Sequence, residues 1–244
     1  MDPRFEREAL LLGEAAVDRL ARARVAVFGL GGVGSWAAEA LARSGVGEIE
    51  LIDSDVVSLT NINRQMCALE QTVGMPKVQV VAERLAQINP AIRLTCRQEF
   101  FLPETVDRYD FSAYDYVIDA IDTVSGKIAI AESATKAGVP MISCMGTGNK
   151  IDPTAFRVTD LAKTNTCPLA RVMRRELKKR GILHLTVVYS EEMPLSCGST
   201  TDEKSGKPIP GSLAFVPPVA GLIAASEAVK TLIGWRERKE QSHE

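Results

Sequence analysis

The stretch RVAVFGLGGVGSWAAEALARSGVGEIELID, residues 24–53, constrains the fold more than any other part of the chain. It predicts strand, glycine loop, helix, strand. Arg24–Phe28 is a short apolar run of the kind that lies buried in a parallel sheet. The loop Gly29-Leu30-Gly31-Gly32-Val33-Gly34 follows. Without Cβ atoms its glycines allow a tight turn and let backbone N–H groups come close to an anion. Val33, Trp36, Ala37, Ala40 and Leu41 then recur at helical spacing, and Gly45 stands where a helix can stop. The positive end of that helix dipole points at whatever the loop holds. Glu48–Asp53 reads as the second strand, and its terminal acid, Asp53, is placed to accept hydrogen bonds from a nucleotide ribose. Strand, glycines, helix and terminal acid in this order predict a nucleotide-binding βαβ unit and leave the nucleotide's identity open.

The remaining pattern extends this unit. Phe5–Ala23 predicts one helix. Val78, Val81, Leu85 and Ile88 predict an amphipathic helix closed by Asn89-Pro90. Ile92–Cys96, Tyr114–Asp119 and Met141–Cys144 read as strands, with Val124–Lys136 as the helix between the last two. The class is therefore α/β, a doubly wound, Rossmann-like, mostly parallel sheet. From residue 151 the pattern becomes an α+β extension. It holds strands Phe156–Asp160 and Leu185–Ser190, a basic helix Pro168–Arg180 and a polar loop Ser196–Ser212 of mobile composition. A final helix, Val219–Trp235, closes it. The expected division is a nucleotide-binding domain with its N-terminal helix over 1–150, and an extension of the same sheet over 151–244.

The polar insertion between Asp53 and the Val78 helix bears on which nucleotide binds. A nicotinamide or flavin dinucleotide presents a diphosphate, which backbone N–H groups and a helix dipole satisfy. ATP carries about two more negative charges and calls for cations and a metal. Arg64 and Lys77 lie beside the glycine loop in sequence, and Asn61, Asn63 and Gln65 add donors. Asp119 and Asp122, at the end of the fourth strand, are placed to hold a hydrated Mg²⁺. Singly, Arg64 and Lys77 also fit surface ion pairs, and Asp122 also fits a helix N-cap. Together they favour ATP over an NAD(P)-dependent oxidoreductase or a nucleotide-sensing scaffold.

Charge and cysteine content narrow the partners. The formal net charge is −2, so nucleic acid would have to meet a local patch. The densest is Arg171, Arg174, Arg175, Lys178, Lys179 and Arg180, against Glu176 alone. Five scattered cysteines with no CxxC pair, and two histidines, His184 and His243, argue against zinc and against a disulfide framework. The charged opening MDPRFEREALLLG lacks the form of a secretory signal, and the longest apolar run, Phe215–Ser226, is too short to span a membrane. The cytoplasm is the expected compartment.

At this point the motifs become recognisable. GLGGVGSWAAEALARSGVGEIELIDSDVVSLTNINRQ, GMPK and DAID resemble the ubiquitin-activating-enzyme superfamily of adenylyltransferases over roughly residues 4–150. The resemblance implies ATP and Mg²⁺ as cofactors. Gly29, Gly31, Gly32, Gly34 and Asp53 would hold the adenosine and phosphates, with Asp55, Gln65 and Asp119 beside them. Asn61, Arg64 and Lys77 would contact the triphosphate, and Asp122 the metal. Arg7, within RFERE, matches an arginine that reaches the ATP of the partner subunit, which implies a homodimer with Arg7, Arg64, Lys77 and Asp122 as its catalytic set. TDLAKTNTCPLARVMRREL and PGSLAFVPPVAGLIAASEAVK are similar to the tRNA threonylcarbamoyladenosine dehydratase branch. That implies tRNA carrying threonylcarbamoyladenosine as substrate, with Arg171, Arg174, Arg175, Lys178 and Lys179 as its expected binding surface. The implied reaction adenylates the substrate carboxylate, then closes a ring by attack of the ureido group with release of AMP. The nearest alternative is activation of a ubiquitin-like or sulfur-carrier protein, whose activators usually carry two CxxC pairs that this chain lacks. Association with a cysteine-desulfurase or sulfur-acceptor system stays open. Cys197 is the thiol best placed to react, with a bystander role favoured.

Overall fold

Seven segments from both halves of the chain join one sheet in this computed structural model, which describes residues 2–196, 198, 200–201 and 208–235. The strands are β1 (Arg24–Phe28), β2 (Glu48–Ile52), β3 (Arg93–Arg97), β4 (Tyr116–Asp119), β5 (Met141–Cys144), β6 (Phe156–Asp160) and β7 (Thr186–Ser190). Their order is β3-β2-β1-β4-β5-β7-β6, parallel throughout except for β6, which runs antiparallel to β7. A short ribbon, β8 (Thr200–Thr201) with β9 (Pro208–Ile209), stands apart. The helices are α1 (Glu6–Leu12), α2 (Glu14–Arg22), α3 (Gly34–Arg43), α4 (Lys77–Ile88), α5 (Val124–Ala137), α6 (Pro168–Lys178) and α7 (Val216–Leu232).

The central strands are buried on both faces because helices cover both, as parallel sheets require. On one face Val25, Val27, Ile49 and Leu51 pack with α3, α4 and α7. On the other, Ala26, Phe28 and Val117 pack with α5, α6 and an aromatic group in which Phe28 meets Phe101 edge-on at 4.9 Å and stacks on Phe111 at 5.7 Å. The second half of the chain shares the core of the first. Gly221 of α7 lies so close to α3 that a Cβ there would come within 2.2 Å of the Val33 carbonyl oxygen.

Two expected helices differ. The single helix over Phe5–Ala23 breaks into α1 and α2 at Gly13, whose φ of 84° no helix accommodates. The break leaves Leu10 and Leu11 on the surface, 85% and 79% exposed. The last helix starts at Val216, ahead of the expected Val219, with Pro217 and Pro218 in its first turn. There their missing N–H groups have no partner to lose. No helix among the described residues is long and apolar enough to cross a membrane.

Candidate active site

Strand order reverses between β1 and β4, and a cavity of about 580 Å³ opens there beyond the carboxyl ends of β1, β2 and β4. The loop after β1 supplies Gly29, Gly31 and Gly32, and the segment after β2 supplies Asp53, Asp55, Asn61, Arg64 and Gln65. Lys77 at the head of α4, Glu99 after β3 and Asp122 after β4 add charged groups to the lining.

The glycines divide their work. At Gly29, φ is 87° and a Cβ would lie 2.8 Å from the Ala120 carbonyl oxygen; at Gly34 it would lie 1.8 Å from that of Gly29. These two let the turn close against β4 and α3. Gly31 meets nothing nearer than 3.9 Å, so its backbone faces open space in the cavity. Asp53 braces the loop: its Oδ2 accepts from Leu30 N–H at 2.6 Å and its Oδ1 from Asp55 N–H at 2.8 Å. Burial raises the Asp53 pKa against the opposing pull of the Lys77 charge.

Cations face this loop. The Lys77 side chain is 6% exposed, and its Nζ lies 2.7 Å from Asp55 Oδ2. It is therefore a buried ammonium at the cavity, paired with the exposed carboxylate of Asp55. Arg64 Nη1 donates to Thr60 O and to Asn63 Oδ1, each at 2.9 Å, while Trp36 Nε1 donates to Arg64 O at 3.1 Å. Partial burial lowers the Arg64 pKa, and no carboxylate among the described residues pairs with it. Asn61 is 9% exposed, and its Oδ1 accepts from Ser58 N–H at 3.1 Å, so this oxygen shapes the loop while the amide nitrogen stays available.

The two acids after β4 have opposite fates. Asp119 is fully buried outside the cavity lining, 3.0 Å from Lys127 Nζ, and accepts from Ser143 Oγ at 2.5 Å and Ile121 N–H at 3.3 Å. The expectation that it sits on nucleotide or metal is corrected: its oxygens are spent on internal donors. Asp122 is exposed, lines the cavity and has no hydrogen-bond or ion-pair partner among the described residues. Its N-cap role is also absent, since α5 is capped at Thr123. A buried ammonium, a guanidinium, a glycine turn and a carboxylate with no partner among the described residues thus line one cavity. That donor set fits a polyphosphate with a cation.

The ThiF family model matches residues 5–243. The chain belongs to the ThiF family. A tRNA threonylcarbamoyladenosine dehydratase of Bacillus subtilis is 44% identical over 239 residues, covering 94% of each chain. The Escherichia coli protein of that name is 41% identical, covering 97% of this chain and 96% of that one. A crystal structure of E. coli TcdA, a tRNA N6-threonylcarbamoyladenosine dehydratase, in complex with ATP superposes with a TM-score of 0.86 at 42% identity, covering 96% of both chains.

Other expected residues of this ThiF-family chain lie elsewhere. Arg7 is exposed on α1 and lines no part of the cavity. Nearby Phe5 packs on Gly45, past the far end of α3, about 15 Å of helix from the glycine loop. On α6 the five expected tRNA contacts are not equivalent. Arg174 Nη1 is turned inward to Thr164 O at 2.5 Å, Thr164 Oγ1 at 3.0 Å and Leu161 O at 3.3 Å. Arg175 and Lys179 each bond Glu176 at 2.9 Å. Arg171 and Lys178 are exposed with no partner among the described residues. Burial pushes the Cys67 thiol up to about 11 and the Cys144 thiol up to about 12. Cys197 and His243 lie outside the described residues.

Sequence reasoning missed part of the lining. Phe100 follows β3, where an aromatic pair after a strand end was a readable signal. Thr147, Pro210, Ser212 and Pro217 come from the second half of the chain, and no local pattern ties them to the glycine loop.

Proposed function

We propose that this chain is an ATP-dependent dehydratase that activates the carboxylate of threonylcarbamoyladenosine in tRNA and closes it into a ring. The observation that carries the reading is the cavity's donor set: Lys77 and Arg64 with the glycine loop, and in the same lining the Asp122 carboxylate, which has no partner among the described residues. A dinucleotide needs neither the buried ammonium nor the free acid; a triphosphate uses both. The substrate is supported by the likeness to the B. subtilis and E. coli enzymes over nearly the whole chain.

In the proposed reaction a carboxylate oxygen bonds to the α-phosphorus of ATP and the bond to pyrophosphate breaks. The ureido nitrogen of the same side chain then bonds to the acyl carbon. It loses its proton, and the acyl–oxygen bond to AMP breaks. The substrate acid loses one water in total: its oxygen leaves in AMP, and its two protons, that of the carboxyl group and that of the ureido nitrogen, go to solvent. Because nucleophile and acyl carbon share one side chain, positioning supplies much of the rate. Arg64 and Lys77 offset the charge that gathers on the phosphates. No group of three or more protein ligands for a metal occurs among the described residues. Asp122 would therefore hold Mg²⁺ together with phosphate oxygens, where the ion supplies charge neutralisation at the leaving group. Arg7 reaches no site of its own chain, so we assign it to the partner subunit's site in a homodimer. The exposed Leu10 and Leu11 on the same helix would be covered in that dimer. The exposed Arg171 and Lys178 would meet tRNA phosphates, and the setting is the cytoplasm. Activation of a carrier protein would use the same ATP site, but the missing CxxC pairs turn the reading toward the nucleoside.

Incubation of the protein with modified tRNA, ATP and Mg²⁺ tests this. AMP, pyrophosphate and a nucleoside lighter by one water are expected by mass spectrometry. ADP as product, or an unchanged nucleoside mass, overturns the proposal.

A further inference from the structure

Asn149 is the one non-glycine residue with positive φ among the described residues, at 59°. An L-residue with a Cβ holds that conformation at a cost, and asparagine bears it better than most. The cost is offset by three hydrogen bonds from one residue. Asn149 N–H donates to Gly211 O at 2.8 Å, Asn149 Oδ1 accepts from Gly211 N–H at 2.6 Å, and Asn149 O accepts from Leu195 N–H at 2.7 Å. Leu195 and Gly211 are far apart in sequence, and Asn149 holds both to the loop that follows β5. The neighbouring Gly148 makes the fit tight: a Cβ there would lie 2.6 Å from Pro210 Cβ. Asn63 Nδ2, from the residue before Arg64, donates to Ser212 O at 2.9 Å.

The segment so held bears on the chemistry. Pro210 and Ser212 line the same cavity as the glycine loop, Arg64 and Lys77, together with Thr147 and Gly148. If the glycine loop, Arg64 and Lys77 take the phosphates, the acyl group must be received by another part of the lining. We propose that Asn149 is the positioning residue of this acyl-side wall, locking Gly211 and Leu195 so that Pro210 and Ser212 hold the carboxylate in line with the α-phosphorus. The inference rests on the ATP-dependent dehydratase reading given above.

Three variants separate side chain from backbone. Asn149→Gly keeps the positive φ and the backbone bonds but removes the Oδ1 acceptor. Asn149→Asp keeps an acceptor in the same place. Asn149→Ala loses the acceptor and retains the backbone strain. For Asn149→Gly we expect kcat/KM for modified tRNA to fall about tenfold, the scale of one lost hydrogen bond that leaves a donor unmet. Its ATP affinity, read by binding of a fluorescent ATP analogue, should stay within about twofold on the same scale. Asn149→Asp should recover most of kcat/KM, and Asn149→Ala should fall below Asn149→Gly. Unchanged kcat/KM in Asn149→Gly overturns the proposal, as does a parallel loss of ATP affinity. Amide hydrogen exchange over residues 208–213 gives a readout that does not depend on activity. Exchange at Gly211 should quicken in Asn149→Gly and return toward normal in Asn149→Asp. If wild-type protein makes no lighter nucleoside, the dehydratase reading fails while exchange still judges the clasp. Equal exchange in all variants overturns the clasp whatever the reaction is.

Discussion

Replacing Lys127 with Met probes the buried ion pair beneath the site. Lys127 and Asp119 side chains are both 0% exposed, with Nζ 3.0 Å from Asp119 Oδ2 and 3.0 Å from Ile121 O. Among the described residues, Lys127→Met leaves the Asp119 carboxylate with only Ser143 Oγ and Ile121 N–H as donors. A buried charge left without its counter-ion costs about 3–5 kcal/mol, against the 1 kcal/mol or less of an exposed pair. For a domain of this size that is a fall in Tm of about 6–20 °C. Asp119→Asn should cost a similar amount, since it leaves the ammonium stranded. The double variant should cost less than the sum of the two by about 2 kcal/mol or more, because each single change includes a penalty that the other removes. Urea unfolding followed by tryptophan fluorescence, without ATP, measures all three. A Lys127→Met cost under about 1 kcal/mol, or strict additivity in the double variant, would refute the reasoning. The ammonium also holds Ile121 O, one residue before Asp122. Lys127→Met should therefore lose activity even at temperatures where it stays folded.

Four further outcomes are expected. Asp122→Ala should lower kcat at least about 100-fold with an unchanged urea midpoint, because Asp122 caps no helix and pairs with nothing described; wild-type turnover at saturating Mg²⁺ removes it from the site. Arg7→Ala and Asp122→Ala, each inactive alone, should on subunit exchange regain up to about a quarter of wild-type activity, since half the dimers then hold one intact site; exchange without recovery excludes a trans arginine. Arg171→Gln and Lys178→Gln should each flatten the salt dependence of tRNA affinity by about 0.7–0.9 in slope, whereas Arg174→Gln should cost stability instead; overlapping salt curves place the RNA surface elsewhere. Cys67 and Cys144 are buried, with thiols pushed up to about 11 and about 12, whereas Cys96 is exposed although its thiol is also raised, so iodoacetamide should label Cys96 ahead of both; equal labelling by peptide mass spectrometry contradicts their burial.

Much of the scaffold was legible in the residues themselves. Residues 24–53 write strand, turn, helix and strand through neighbours a few positions apart, and β1, α3 and β2 form there. Val78, Val81 and Leu85 recur at helical spacing, and all three are buried on α4. Met141–Cys144 and Phe156–Asp160 matched their strands to the residue. The break at Gly13 was not legible, because a glycine only permits a positive φ and the packing around it decides whether it is used.

The functional residues divide along the same line. Lys77, Arg64 and the glycines could be expected at the cavity from sequence because they follow the carboxyl ends of β1 and β2, and there they lie. Asp119 and Asp122 could not be told apart three positions from each other. Their roles depend on Lys127 from α5 and Ser143 from β5, which saturate the one and leave the other free. Likewise Arg174 reads as surface charge in sequence but finds Thr164 and Leu161 in the fold. The wall of Pro210 and Ser212, and the strained Asn149 that holds it, exist only once residues more than 60 positions apart are brought together. Periodicity and turn chemistry act over a few residues and so can be read along the chain. Which polar atom is spent internally, and which is left facing the cavity, depends on neighbours that only the folded chain supplies.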